Sequence, residues 1–248
     1  MSFSFNFFIV FHNEIYPGIY YISQEDKEHL TFYGVNFRQK TDYKIIYEDE
    51  LPIYNPAYQL TKYNEASALW HIYANKLHES YDYIGFGQYD MKMYSHFFST
   101  IKDIIALNPN TIFYVDRFEA GFVGGQTTIT ADFDRFEGGL KNYNAYFNTN
   151  FTNEDVNNGH LICYNSFIIP KEMYERMMKW MNQYYFDDLP VCMYSAEGDP
   201  FTPGHMIEAL TGMFLGLETL RGAQYFRINN SLFHDPEYTL PKNYTLAL

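Results

Sequence analysis

Residues 3–11 (FSFNFFIVF) are almost continuously apolar and rich in aromatic and β-branched side chains. That is the pattern of a parallel strand covered on both faces. LTFYGV at 30–35 predicts a second strand and YKIIYE at 43–48 a short third one, after which residues 49–60 (DELPIYNPAYQL) supply two prolines and a turn-rich connection. In residues 65–79 (EASALWHIYANKLHE) the apolar side chains Ala66, Leu69, Tyr73 and Leu77 recur at helical spacing among good helix formers. YDYIGFGQYD at 81–90 then reads as a buried strand running into a loop. A helix over 96–107 and a strand after the NPN turn at 108–110 follow. Residues 120–160 are rich in Gly, Asn, Thr and Asp without clear periodicity, and are expected to be irregular, either a functional loop or an ordinary surface excursion. HLICYNSFIIP (160–170) predicts another buried strand stopped by Pro170, and residues 171–185 predict a helix whose Met173, Met177, Met178 and Met181 serve the core. A last helix over 203–220 carries Ile207, Leu210, Phe214 and Leu217 on one face, and a short strand and a tail follow it.

Strands alternating with helices predict an open α/β sheet flanked by helices. At 248 residues one domain accommodates the whole chain. In such sheets ligands bind outside the carboxyl ends of the strands, which places GFGQYD (85–90) in the crevice.

Composition narrows the function classes. A hydrophobic content of 47% with a net charge of -13 fits a soluble globular protein and argues against nucleic-acid binding. The 25 Tyr and 23 Phe residues suit stacking on sugars or bases, although AT-rich coding would enrich the same residues. Cys163 and Cys192 form neither a CxxC motif nor a His/Cys cluster, so a reducing, cytoplasmic setting is expected. The apolar N-terminus lacks a basic leader and is too short to span a bilayer, so no transmembrane segment is expected.

Within the crevice segment, Gly85 and Gly87 permit close backbone approach or a tight bend. Asp90 could accept from sugar hydroxyls or bind a divalent cation, and Lys92 could offset phosphate charge. A Gly-rich turn with one solvated aspartate would look the same. His205 and Glu208 share a helix face close to the N-terminal end, where a carboxylate could act as a general base or merely complement the helix dipole. No G-x-S-x-G, Walker A, G-x-G-x-x-G or H-E-x-x-H pattern is present.

Three blocks resemble a known family. NEASALWHIYANKLHESYDYIGFGQYDMKMY (64–94) is similar to the signature of the DUF4422 family of capsule and polysaccharide-locus glycosyltransferases, roughly E-L-T-A-L-Y-W-x-W-K-N, a gap, then Y-x-G-L-x-H-Y-R-R-Y. Glu65, Ala68, Leu69, Ile72 and Asn75 match its first part, and Tyr83, Gly85 and Tyr89 its second. NSFIIPKEMYERMMKWM (165–181) and GHMIEALTGMFL (204–215) resemble two later blocks of the family, with Glu208 on its glutamate. FFIVFHNEIY (7–16) is similar to its opening strand and His-containing turn.

The resemblance implies an α/β, GT-A-like (Rossmann-like) fold with a mixed, mostly parallel central sheet flanked by helices, and transfer of a hexose or deoxyhexose from a UDP- or dTDP-linked donor to a glycan or glycoprotein hydroxyl. Residues 1–95 would mainly bind the nucleotide and residues 96–248 the acceptor. His12, Asn13, Glu65, Gly87, Gln88, Tyr89, Lys92 and His205 would bind the donor, and Glu208 would be the catalytic acid residue. The family's His-Tyr-Arg-Arg is Gln88-Tyr89-Asp90-Met91 here, which removes two cations and introduces a carboxylate. Mn²⁺ or Mg²⁺ held by Asp90, with His234 as a further ligand, would replace the lost charge. Otherwise Asp90 faces the sugar and Lys92 meets the diphosphate. A non-catalytic nucleotide-sugar-binding protein is the alternative from another class. A nucleotidyltransferase would want clustered carboxylates that are not seen at one strand end.

Overall fold

A computed structural model describes residues 3–15, 18, 20–59, 65–91, 93, 97–116, 133–158, 165–186 and 203–229. Seven strands, β1 (Phe5–Phe11), β2 (Leu30–Gly34), β3 (Ile45–Tyr47), β4 (Tyr83–Gln88), β5 (Thr111–Asp116), β6 (Phe167–Pro170) and β7 (Gln224–Asn229), form one sheet in the order β3-β2-β1-β4-β6-β5-β7. β6 runs antiparallel to both its neighbours, and the other pairings are parallel. Helices flank the sheet: α1 (Ala66–Ala74), α2 (Phe97–Leu107), α3 (Phe133–Phe147), α4 (Asn153–Asn158), α5 (Lys171–Met181) and α6 (Pro203–Leu220). This is the α/β sheet that the alternation of patterns predicts, with the mixed, mostly parallel order that the family resemblance implies.

The continuous apolar run of β1 is explained by burial on both faces. Phe5, Phe7, Ile9 and Phe11 enter a cluster with Phe97, Phe98, Ile101 and Ile105 of α2. Phe8 and Val10 enter a second one with residues of α1, α5 and α6. A fully buried phenylalanine contributes about 1.5–3 kcal/mol relative to exposure, so β1 anchors both layers at once.

Four boundaries differ from the sequence pattern, each for a local reason. α1 stops at Ala74 rather than continuing to residue 79, because the Asn75 side chain turns to Ile53, accepting its N–H at 2.9 Å and donating to its carbonyl at 2.7 Å, and Lys76 adopts φ 59°. α5 gives way at Asn182–Phe186 to a wider π-type turn that buries Tyr185 and Phe186. The final strand before Pro170 is only Phe167–Pro170, entered through Asn165 at φ 45°; residues 159–164 lie outside the described ones. The stretch expected to be irregular contains α3 and α4. Leu140 and Tyr143 are buried three residues apart, but glycines, asparagines and charges around them dilute that signal. Residues 117–132 lie outside the described ones.

Packing accounts for both glycines of β4. A Cβ on Gly85 would stand 2.4 Å from Phe7 Cδ2 and 2.9 Å from Ile168 Cγ1, and one on Gly87 would stand 2.6 Å from Phe7 Cε1. The ring of Phe7, on the paired strand, fills the space that side chains would take. Gly85→Ala is therefore expected to cost about 1–3 kcal/mol by overpacking, measured by urea unfolding. Phe7→Leu in the same chain should recover part of that loss, and full additivity of the two substitutions would refute this account.

Candidate active site

The chain leaves β1 to build β2 and β3 on one side, then returns to place β4 on the other side of β1. The strand order thus reverses between β1 and β4, and a crevice opens at their carboxyl ends, where α/β sheets bind ligands. Helix direction brings further residues to the same edge. α1 leads back to the start of β4 and α6 to the start of β7, so the N-terminal ends of both helices lie at the carboxyl edge, and the two helices pack together.

His12 follows β1 directly, and Glu65 precedes α1. The His12 Nδ1 and Glu65 Oε1 atoms are 3.1 Å apart across the crevice, with side chains 38% and 18% exposed. The hydrogen bond to Glu65 holds the His12 imidazole above its ordinary pKa against the opposing effect of burial, and the charges of Glu65 and Asp90 act in the same direction. With Nδ1 committed to Glu65, Nε2 is the ring nitrogen left to meet a ligand. The ring also meets Tyr89 edge-on, centroids 5.2 Å apart.

Asp90 sits in a tight turn closed by the Met91 N–H donating to the Gln88 carbonyl at 3.1 Å. Neighbouring segments hold this turn. The Tyr89 N–H donates to the Val10 carbonyl at 3.0 Å, the Tyr20 hydroxyl donates to the Tyr89 carbonyl, and the Tyr21 N–H donates to the Met93 carbonyl at 2.8 Å. Burial pushes the Tyr20 phenol well up, with the Asp90 charge adding to the effect. Met91 is 2% exposed, and its sulfur accepts from the Gln88 N–H at 3.3 Å and the Ser166 hydroxyl at 3.4 Å. The Met91 side chain is therefore a plug inside the turn.

The structure brings together His12, Glu65, Tyr89 and Asp90, with Asn13 exposed beside His12 and Gln88 half-buried at the end of β4. Gly87 stands on β4 against Phe7. Glu208 lies in the second turn of α6, half-buried, at the same edge. His205 lies in the first turn, and nothing is described of its side chain; Lys92 and His234 lie outside the described residues. Sequence reasoning missed Gln39, whose side chain is tied to the backbone that follows His12. This glutamine occurs in no pattern that marks it.

The donor set suits a cation held jointly with a substrate better than a closed metal cage. Among the described residues no three His, Cys, Asp or Glu side chains stand close enough to hold a metal ion. Mg²⁺ and Mn²⁺ are commonly held by one or two carboxylates together with phosphate oxygens and water, and Asp90 fits that mode. Among the described residues no helix is long and apolar enough to cross a membrane.

No protein-family model matches the sequence, and no curated protein does. The DUF4422 resemblance therefore rests on the sequence blocks alone. Among solved structures the fold is similar to the apo structure of WbbM, a bifunctional glycosyltransferase, with a TM-score of 0.56 at 12% sequence identity. The match covers 95% of this chain and 48% of that one, so the chain spans about half the length of that enzyme. The likeness is one of fold.

Proposed function

We propose that the chain is a glycosyltransferase that moves a hexosyl or deoxyhexosyl group from a UDP- or dTDP-linked donor to a glycan hydroxyl. The observation that carries this reading is the convergence of His12, Glu65, Tyr89 and Asp90 at the β1/β4 switch point. The glycosyltransferase-type fold supports it, as does the resemblance of the sequence blocks.

In the reaction the bond from the anomeric carbon to the diphosphate oxygen breaks and a bond from that carbon to the acceptor oxygen forms. The acceptor proton must leave, and the Glu208 carboxylate is the base assigned to it for an inverting transfer. His12, oriented by Glu65, presents Nε2 to the donor, and the fixed turn holds Asp90 toward the diphosphate end. A divalent cation bound at Asp90 would supply charge stabilisation for the departing diphosphate. Asn13, Gln88, Lys92 and His205 remain proposed donor contacts, with His234 a proposed further ligand for the cation.

Calorimetric titration with UDP, with and without Mn²⁺, tests the site. His12→Ala and Glu65→Gln are each expected to weaken UDP binding about 10- to 100-fold, the range for losing a hydrogen bond to a charged group. Wild-type affinity in both variants would remove the crevice from donor recognition. Asp90 and the buried Met91, standing at the family's arginine positions, favour a second reading, a nucleotide-sugar-binding protein without turnover. That protein would show a thermal shift with UDP and release no nucleotide from any sugar donor.

A further inference from the structure

We infer that Gln39 is a positioning residue for His12, an inference that rests on the proposed donor site and adds to it a residue outside the ligand-facing set. Ile15 donates its N–H to Gln39 Oε1 at 2.7 Å, and Gln39 Nε2 donates to the Ile15 carbonyl at 2.9 Å. One side-chain amide thus pairs with both polar groups of a single backbone residue 24 positions away, much as a neighbouring strand would. The other end of the same loop is pinned as well, because the Val35 N–H donates to the Phe11 carbonyl at 2.8 Å.

Between these two pins lie only His12, Asn13 and Glu14, all exposed, while Phe11 and Ile15 on either side are buried. Within this arch the Glu14 N–H donates to Asn13 Oδ1 at 2.8 Å. Both pins come from the segment that follows β2. Gln39 is itself fixed from β3, since the Tyr47 hydroxyl donates to the Gln39 carbonyl at 2.8 Å and the Arg38 guanidinium lies 4.4 Å from the centre of the Tyr47 ring. A rigid line therefore runs from β3 through Gln39 to the arch that aims His12 at Glu65. A three-residue arch held at one end only would let the imidazole swing, and a hydrogen bond of 3.1 Å does not survive displacement of an ångström or more.

Gln39→Leu removes both amide bonds at similar size. Gln39→Glu keeps the acceptor for the Ile15 N–H and loses the donor. The experiment compares these variants with wild type by ¹⁵N–¹H spectra of the histidine side chains at one fixed pH, without ligand, assigning the His12 signal with His12→Ala. It adds UDP titration in the wild-type and His12→Ala backgrounds, and thermal unfolding as a control. Gln39→Leu is expected to shift or broaden the His12 signal, with Gln39→Glu intermediate. UDP binding should weaken about 10-fold in Gln39→Leu, the lower end of the loss expected for removing the His12 contact itself, with no further weakening when His12 is already alanine. An unmoved His12 signal in a folded Gln39→Leu protein would overturn the inference, and so would an equal loss of UDP affinity in both backgrounds. Absence of UDP binding to the wild type would count against the donor reading alone, because the ligand-free spectra still decide the role of Gln39.

Discussion

Glu208→Gln is expected to lower sugar transfer by about 10²- to 10⁴-fold, the range for losing a general base, while UDP affinity stays within about twofold of wild type. The split follows from placement. Glu208 stands in the second turn of α6, half-buried beside the buried Ile207 and Leu210, and that end of α6 lies at the carboxyl edge because the helix leads back to the start of β7. Apart from His205, in the turn before Glu208, the groups assigned to the donor belong instead to the β1 and β4 loops and the start of α1. Glutamine keeps the size and most of the hydrogen-bonding capacity of glutamate, so packing and donor contacts survive, but it cannot accept the acceptor proton. The measurement is turnover across a panel of nucleotide sugars and glycan acceptors, paired with UDP calorimetry on the same preparation. His12→Ala is the contrasting variant, for which binding should fall first. Full turnover in Glu208→Gln would remove Glu208 from the chemistry, and a parallel loss of UDP affinity would make it a donor contact instead.

What the sequence made legible follows from how burial writes itself into a chain. β1 and β4 are covered on both faces, so their apolar runs stand out, and the crevice segment 85–90 could be placed at a strand end from its neighbours alone. The glycines of that segment were open to a ligand role, whereas Phe7 fills the space beside them. That contact belongs to strand pairing, and only the register of β1 against β4 reveals it. α3 escaped notice because two adjacent glycines, Gly138 and Gly139, interrupt its pattern. The second of them admits the Leu210 side chain, which would stand 2.9 Å from a Cβ there. The His12–Glu65 pair joins residues far apart in the chain, and neither sits in a motif whose spacing implies the other. Family resemblance flagged both, but their contact depends on α1 starting over the β1/β4 crevice. Gln39 could not have been found this way, since a glutamine in a polar loop carries no signal until its partner is known.

Acid should destabilise the protein through His71, by about 3 kcal/mol between pH 6.5 and pH 4. His71 is fully buried in α1, its Nδ1 lies 2.9 Å from the Ser67 carbonyl, and its Nε2 accepts the Asn55 N–H at 3.0 Å. An imidazolium cannot accept that bond. The ring is therefore neutral although Glu48 Oε1 lies 3.6 Å from Nδ1, and the buried Glu48 carboxylate is instead served by the Ser67 hydroxyl at 2.7 Å. Burial lowers the His71 pKa from 6.5 to about 4. Above pH 6.5 neither the folded nor the unfolded chain protonates this residue, so its contribution is complete. As pH falls from 6.5 toward 4 the unfolded chain gains a proton that the folded chain refuses, and stability declines by about 1.36 kcal/mol per pH unit. Below about pH 4 both states are protonated and the loss from this group levels off. His78 is shifted in the same direction, chiefly by burial, and adds to the slope. His12 acts oppositely: its raised pKa yields stability that is lost as pH rises, though its exposure keeps that share small. His71→Gln isolates the main effect, because an amide can still donate to Ser67 and accept from Asn55 without titrating. Stacking on Tyr54 and the edge contact with Trp70 are lost in that variant, so it should be less stable at pH 7 yet lose about 3 kcal/mol less than wild type on going to pH 4. Urea unfolding at the two pH values measures the difference, and an equal acid loss in both proteins would show that His71 is not the residue through which acid acts.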